Sequence, residues 1–430
     1  MNAHPTPTFF KPWTISLLDY QKIFLKIFEK MDLGKLKIVL PTGESLLWGA
    51  ATHEPSATIH IRSSQFFKRC VLYGDIGFGE AYTEGEWETD SITEVIRWMI
   101  LNVSNNPEIS GSQASPWRTG WLRWINQWKH FRENHFSGNK KNIAFHYDLS
   151  NAFFASFLDE TMTYSCADFS QTSCLKQAQI DKWDRMAHLL QLKPGHHVLE
   201  IGGGWGGFAL HLASQYRCQV TTLTLSEEQF KKIQILVQEA NLSDKIKVLL
   251  TDYRHLPAKP VFDRVVSIEM IEALGHKHLP RFFKVAHEVL KPEGILGIQV
   301  ITSADARYDR IRKRVDWIQK HIFPGSLIPS LEALTQAARR YSTFQMHWLY
   351  DMGLDYAETL KQWRLRFHEQ KHHIETLGFD ERLIRSWNYY FSYCEAAFST
   401  RHISAVQIAY TRPNNTNLQP YRYTYERNMI

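Results

Sequence analysis

The sequence predicts a doubly wound α/β domain that carries the function, preceded by a smaller α+β domain. Three observations predict it. The chain's 430 residues exceed one ordinary core, strands and helices alternate regularly from about residue 180, and the first of those strands runs into a glycine loop. Hydrophobic residues make up 44% of the chain and charged ones 22%, which excludes a disordered or fibrous polymer. No window approaches the ~18 unbroken apolar residues of a spanning helix, and the start MNAHPTPTFFKPW lacks a secretion-signal pattern. The 50 Lys and Arg exceed the 44 Asp and Glu by six, an excess that suits an anionic surface without requiring nucleic acid. Aromatic residues reach 13%, with 14 Trp, consistent with an apolar ligand, a membrane face or a large core. Cys70, Cys166, Cys174, Cys218 and Cys394 form no C-x-x-C pair, so neither a metal site nor a disulfide framework is indicated and a reducing cytoplasm is expected.

Residues 1–101 read as the first domain. Ile15–Met31 has apolar residues at helical spacing, and Lys37–Leu40, Leu46–Trp48 and Thr58–Ile61 are short β-like runs between turn signals. Asp75–Trp87, dense in Gly and acid, reads as a turn region. Residues 102–140 read as a joint, polar at first and then a basic Trp-rich helix with Trp117, Arg118, Trp121, Arg123, Trp124, Trp128 and Lys129. Such a stretch suits a lipid headgroup layer, although core packing of the Trp stripe is the commoner outcome. Residues 141–430 form the second domain. Its expected order is a helix over 182–192, a strand over 197–202, a helix over 207–215 and a strand over 219–225. A helix from Ser226, strands over 245–252 and 263–269, a helix over 278–290 and a strand over 294–302 follow. Ligands of such a sheet sit outside the carboxyl ends of its strands.

The apolar strand Val198-Leu199-Glu200-Ile201 leads directly into Gly202-Gly203-Gly204-Trp205-Gly206-Gly207. Gly202, Gly204 and Gly207 satisfy the dinucleotide pattern G-x-G-x-x-G, but a loop this rich in glycine satisfies many patterns. The same residues read as E-x-G-x-G-x-G, and an acid at the strand end suits a cationic ligand such as S-adenosylmethionine. At the next strand ends, Thr224, Leu225 and Gln229 are placed to reach ribose hydroxyls and Asp252 and Tyr253 to flank an adenine. Gln229 also completes a capping box with Ser226. These features favour a class I methyltransferase (Rossmann-like) fold over a dehydrogenase.

Several stretches then align in one order. They are His146-Tyr147-Asp148-Leu149-Ser150-Asn151, Met162-Thr163-Tyr164-Ser165-Cys166-Ala167, the glycine loop and Thr224–Gln229. Asp263–Glu272, Ile322-Phe323-Pro324-Gly325, Gly353-Leu354-Asp355-Tyr356, Tyr389–Cys394 and Val406-Gln407-Ile408 complete the set. Over about residues 140–412 the chain resembles the cyclopropane-fatty-acid synthase family, which includes the mycolic acid cyclopropane synthases. The resemblance implies transfer of the S-adenosylmethionine methyl carbon to a cis double bond of an unsaturated phospholipid acyl chain. It also implies a bicarbonate that deprotonates the resulting cation, held by a cysteine, a glutamate, a histidine and a tyrosine.

By position, the resemblance implies that Cys166, Glu272 and Tyr356 serve the reaction and that Tyr164 and Ser165 touch the cofactor. Gln299 stands where bacterial members often have histidine and cannot become cationic, which leaves bicarbonate or an equivalent base open. Cys394 falls in a matching stretch, with no chemical step assigned to it. Residues 303–350 are expected to help build an apolar tunnel. Because the substrate stays in a bilayer, the protein is expected at the inner face of the cytoplasmic membrane as a peripheral enzyme, and a homodimer is compatible with the sequence. Rival readings are methylation without ring closure, a small-molecule methyltransferase and a silent lipid-binding module.

Overall fold

In the computed structural model, residues 16–29, 31–49, 54–103 and 151–419 are described. The basic Trp-rich stretch and His146 lie outside them. The chain divides into two units, residues 1–114 and 115–430. The first opens with helix α1 (Leu17–Phe28), whose N-terminus is closed by a reciprocal capping box between Ser16 and Asp19. Strands β1 (Lys35–Val39), β2 (Ser45–Gly49) and β3 (Ser56–Ile61) follow, then α2 (Gln65–Thr83), β4 (Trp87–Glu88) and α3 (Ile92–Val103). Their sheet runs β2-β1-β3-β4. Phe24, Phe28, Phe66, Phe67, Trp87 and Trp98 are buried and form this unit's aromatic core. The turn expected over residues 75–87 is helical to Thr83. A Cβ at Gly77 would lie 2.2 Å from the Arg69 carbonyl oxygen, so glycine serves close packing there and not a turn.

The second unit is the expected doubly wound α/β domain. After α4 (Asn151–Ala155) and α5 (Leu175–Leu189) come β5 (His197–Ile201), α6 (Gly207–Gln215), β6 (Gln219–Thr224), α7 (Glu227–Glu239) and β7 (Ile246–Leu250). Next are β8 (Phe262–Ile268), α8 (Leu279–Val289), β9 (Leu290–Ser303), α9 (Asp305–Ile311), α10 (Trp317–His321) and α11 (Leu331–Tyr341). The chain continues through β10 (Gln345–Asp351), α12 (Gly353–Glu369), α13 (Lys371–Thr376), α14 (Glu381–Ser399) and β11 (Ile403–Thr411). Among the described residues the sheet order is β10-β11-β9-β8-β5-β6-β7. Strands β5 to β9 pair in parallel, whereas β11 is antiparallel to both β9 and β10. Sequence patterning did not yield β10 of this antiparallel pair, because it is an edge strand with little burial and hence no clear alternation.

The central strand β5 is buried on both faces, which is why Val198–Ile201 reads as an unbroken apolar run apart from Glu200. Beside the sheet, α12 and α14 pack on α4 through Phe153, Phe157, Trp363, Phe367, Trp387 and Phe391, all buried. Such aromatic edge-to-face packing fixes the helices that close the site from above.

Candidate active site

The order reverses between β5 and β8, and the candidate residues gather at the carboxyl ends of these strands. The chain leaves β5 through Gly202 at φ +93° and Gly204 at φ +52°, conformations that glycine adopts without steric cost. A Cβ on Gly203 would fall 2.0 Å from Thr222 Oγ1, so the loop lies directly against β6. Thr222 Oγ1 in turn donates to Glu200 Oε2 at 2.6 Å. Burial pushes the Glu200 carboxyl up to about 7, and the Thr222 hydrogen bond opposes the shift. A cationic ligand beside this acid would favour its ionised form.

All but three of the sequence-predicted residues line one cavity of about 350 Å³. Tyr164, Ser165, Glu200, Gly202, Gly203, Gly204, Trp205, Thr224, Leu225, Gln229, Asp252, Tyr253, Glu272, Tyr356 and Cys394 share it. The exceptions are Gly206, Cys166 and Gln299. Gly206 instead packs on Ile233, where an added Cβ would lie 3.0 Å from that side chain.

On the cofactor side, Gln229 caps α7 through its backbone N–H, which donates to Ser226 Oγ, while its side-chain Oε1 accepts from Thr224 Oγ1 at 2.8 Å. The expected capping box is only half made: Ser226 Oγ accepts from the Gln229 N–H, but the Gln229 side chain turns to Thr224, and the Ser226 N–H donates to Thr224 Oγ1 instead. The Gln229 Nε2 is buried without a partner, as is the Tyr253 hydroxyl. Buried polar atoms without partners are costly, and a ligand that hydrogen-bonds here removes that cost. Asp252 is held by Arg254 through two hydrogen bonds of 2.9 and 2.7 Å. Trp205 Nε1 donates to Asn151 Oδ1 at 2.8 Å, which ties α4 to the glycine loop. A donor, a hydroxyl and acids arranged along glycine backbone fit the ribose, amino and sulfonium groups of S-adenosylmethionine.

The reactive side centres on Glu269, which the sequence reading did not select. It follows β8 immediately, is half-buried, and holds φ +48°, an unusual backbone for a non-glycine residue. Its Oε1 accepts from the Cys166 backbone N–H at 2.9 Å and from Gln299 Nε2 at 2.8 Å. Its Oε2 accepts from the Tyr356 hydroxyl at 2.6 Å. Gln299 is therefore a supporting residue behind the carboxylate, fixed by Gln407 Nε2, which donates to its Oε1 at 3.0 Å. Cys166 contributes its backbone and not its thiol. The Sγ is buried against the carbonyl oxygens of Ala167 and Met352, and burial pushes the thiol well above its usual range. No thiolate is available for chemistry there.

Glu272 lines the cavity with Oε2 unpartnered, while Oε1 accepts from Ile301 N–H at 2.6 Å. Burial, reinforced by the charge on Glu269, pushes it up to about 8, so Glu272 holds a proton at neutral pH. Lys182, also missed, is fully buried and donates to Ser165 Oγ at 2.7 Å; burial draws it down to about 8 against the pull of Glu269. Cys394 stands in the wall as a neutral thiol, raised by burial. The bicarbonate implied by resemblance does not fit this arrangement: the Cys166 N–H, the Gln299 amide and the Tyr356 hydroxyl already serve Glu269.

Part of the cavity lining is apolar. Ile318, Phe323, Pro324 and Ile328 belong to it, as expected of residues 303–350, together with Leu360 and Phe398. Aromatic side chains contribute to it. Tyr356 stacks on Phe398 at 4.3 Å, and the Tyr164 hydroxyl donates to that of Tyr390 at 3.0 Å.

Comparison with known proteins matches this arrangement. The family model described as mycolic acid cyclopropane synthetase matches residues 135–408. A tuberculostearic acid methyltransferase from Mycobacterium tuberculosis is 36% identical over 86% of this chain and 86% of its own. A cyclopropane-fatty-acyl-phospholipid synthase from Escherichia coli is 34% identical over 85% of this chain and 91% of its own. Among solved structures, a mycolic acid cyclopropane synthase complexed with SAH and CTAB is 30% identical, with a TM-score of 0.59 over 65% of this chain and 99% of that one. The fold is that of class I methyltransferases, and the chain belongs to the mycolic acid cyclopropane synthetase family of S-adenosylmethionine-dependent methyltransferases.

Proposed function

We propose that the protein transfers the methyl carbon of S-adenosylmethionine to the double bond of an unsaturated phospholipid acyl chain and closes a cyclopropane. The observation that carries this reading is a cavity lined at once by the glycine-loop cofactor residues, by the carboxyl groups of Glu269 and Glu272, and by apolar and aromatic side chains. When bound, the cofactor supplies an electrophilic methyl group on a sulfonium. An unactivated alkene is a poor nucleophile, so most of the rate must come from alignment and exclusion of water. The apolar lining would hold the acyl chain, and Tyr164, Phe323, Tyr390 and Tyr356, which line the same cavity, would supply π density to a cationic carbon. A base in the cavity then removes a proton from the new methyl group.

Methylation without ring closure is the second reading, favoured by the 36% identical tuberculostearic acid methyltransferase. The enzyme would work from the inner face of the membrane, a placement supported by the net charge of +6. No helix among the described residues is long and apolar enough to cross a bilayer. The test is incubation of the full chain with isotopically labelled cofactor and vesicles of monounsaturated phosphatidylethanolamine and phosphatidylglycerol. NMR and mass spectrometry of the recovered lipid should show ring protons carrying the label. Labelled methylene or methyl branches would select the second reading, and unlabelled lipid would remove both.

A further inference from the structure

We propose that Glu269 is the built-in base of this reaction, occupying the anion position enclosed by Cys166, Gln299 and Tyr356, so that no bicarbonate is required. The inference rests on the reading of the protein as an acyl-chain methyltransferase.

Four observations carry it. First, the carboxylate is fixed by donors on both oxygens: a backbone N–H, an amide and a phenol, at 2.9, 2.8 and 2.6 Å. Burial raises the Glu269 carboxyl above its ordinary range, as suits a base, and the three donors oppose that shift by favouring its ionised form. Second, a carboxylate offers about four acceptor positions, of which three are filled here, so one lone pair on Oε2 is left. Glu269 also lines the cavity and can present that lone pair to a substrate. Third, the residue is held at φ +48°. A glutamate in that left-handed conformation is strained, and functional sites are among the places where such strain is retained. Fourth, Glu272 is unsuited to the task, because burial and the neighbouring Glu269 charge keep it protonated. The buried Lys182, one contact away through Ser165, balances the negative charge.

The step balances without a co-reactant. Once the alkene has taken the methyl carbon, one former alkene carbon is a cation. Glu269 removes a proton from the transferred methyl carbon, and the C–H electron pair forms the bond to the cationic carbon. Cyclopropane and a neutral Glu269 result, and the proton is later released to solvent. A bound bicarbonate would have to displace the same three donors and sit beside a like charge.

The experiment has a binding arm and a turnover arm, both on the full chain. In wild type, titration with ¹³C-bicarbonate should show no saturable binding by NMR, and turnover on monounsaturated phospholipid vesicles should be the same in carbon-dioxide-stripped buffer. Glu269→Gln should lose on the order of 100-fold or more in kcat while S-adenosylmethionine binding by calorimetry is kept. Glu269→Gly relieves the backbone and vacates the anion position, so it should gain saturable bicarbonate binding and bicarbonate-stimulated turnover. Saturable bicarbonate binding to wild type, bicarbonate-dependent wild-type turnover, or a fully active Glu269→Gln overturns the proposal. If wild type leaves the lipid unlabelled, the acyl-chain reading fails; the two bicarbonate titrations still judge Glu269 by themselves.

Discussion

At the scale of single residues, the site is a set of buried acids whose charge states differ by environment. Glu200 ionises near an ordinary 4.5 in the unfolded chain and near 7 in the fold, because burial raises it. Folding then favours the protonated form, so this residue's stabilising effect is complete below about pH 4.5 and is lost as pH rises toward 7. Glu272 acts in the same direction up to about pH 8. Histidines drawn down by burial, such as His402, act in the opposite sense below pH 6.5, so the expected signal is a difference: the melting temperature of Glu200→Gln relative to wild type should rise as pH goes from about 4.5 to 7. The same variant should weaken S-adenosylmethionine binding at neutral pH by roughly tenfold to a hundredfold, the value of a hydrogen bond to a charged group. Calorimetry and thermal melts at several pH values check both, and a difference that does not vary with pH would show Glu200 to be ionised in the unliganded fold. Glu269 is the instructive omission from the sequence reading. It lies in the Asp263–Glu272 stretch that carried the family resemblance, at the end of a predicted strand where ligands collect. Nothing local to it distinguishes a surface acid from one that three distant residues turn toward and enclose.

At the scale of elements, the glycine loop works by contact as much as by flexibility. Gly203 has no left-handed backbone, yet its Cα lies so close to β6 that an alanine methyl would meet Thr222 Oγ1 at 2.0 Å. Gly203→Ala should destabilise the protein by about 1–3 kcal/mol, the usual cost of overpacking. Thr222→Ala in the same chain should recover part of the loss, a coupling that chemical denaturation of the two single variants and the double variant measures. Strict additivity would mean that the loop shifts as a body instead of pressing on Thr222. Strands β5, β6 and β8 were legible because each is a short segment rich in β-branched and aliphatic residues, alternating with helical patterns and bounded by turns. Helix α2 was misread as a turn region because its glycines suit both, and close approach of its own two halves decided for helix.

At the scale of the whole molecule, the proposed substrate lies in a bilayer, and we propose that the basic, Trp-rich residues 117–132 take part in docking to it. Reversing the charges of Arg118, Arg123 and Lys129 should weaken binding to anionic vesicles and reduce its sensitivity to salt, because each cation near such a surface is worth about 1 kcal/mol. Cosedimentation with and without added salt measures this, and unchanged binding would end the assignment of docking to that stretch. By itself the sequence determined the α/β class, the cofactor loop and the residues that line the cofactor half of the cavity. Those features depend on short-range rules: strand periodicity, turn chemistry and capping within a few positions. The tertiary structure decided which groups confront the substrate. It turned the Cys166 thiol away, set Gln299 behind the wall and brought Glu269 to Tyr356 across 87 positions of chain. Such pairings depend on how packed elements cross, and no local pattern encodes the direction in which a buried side chain will point.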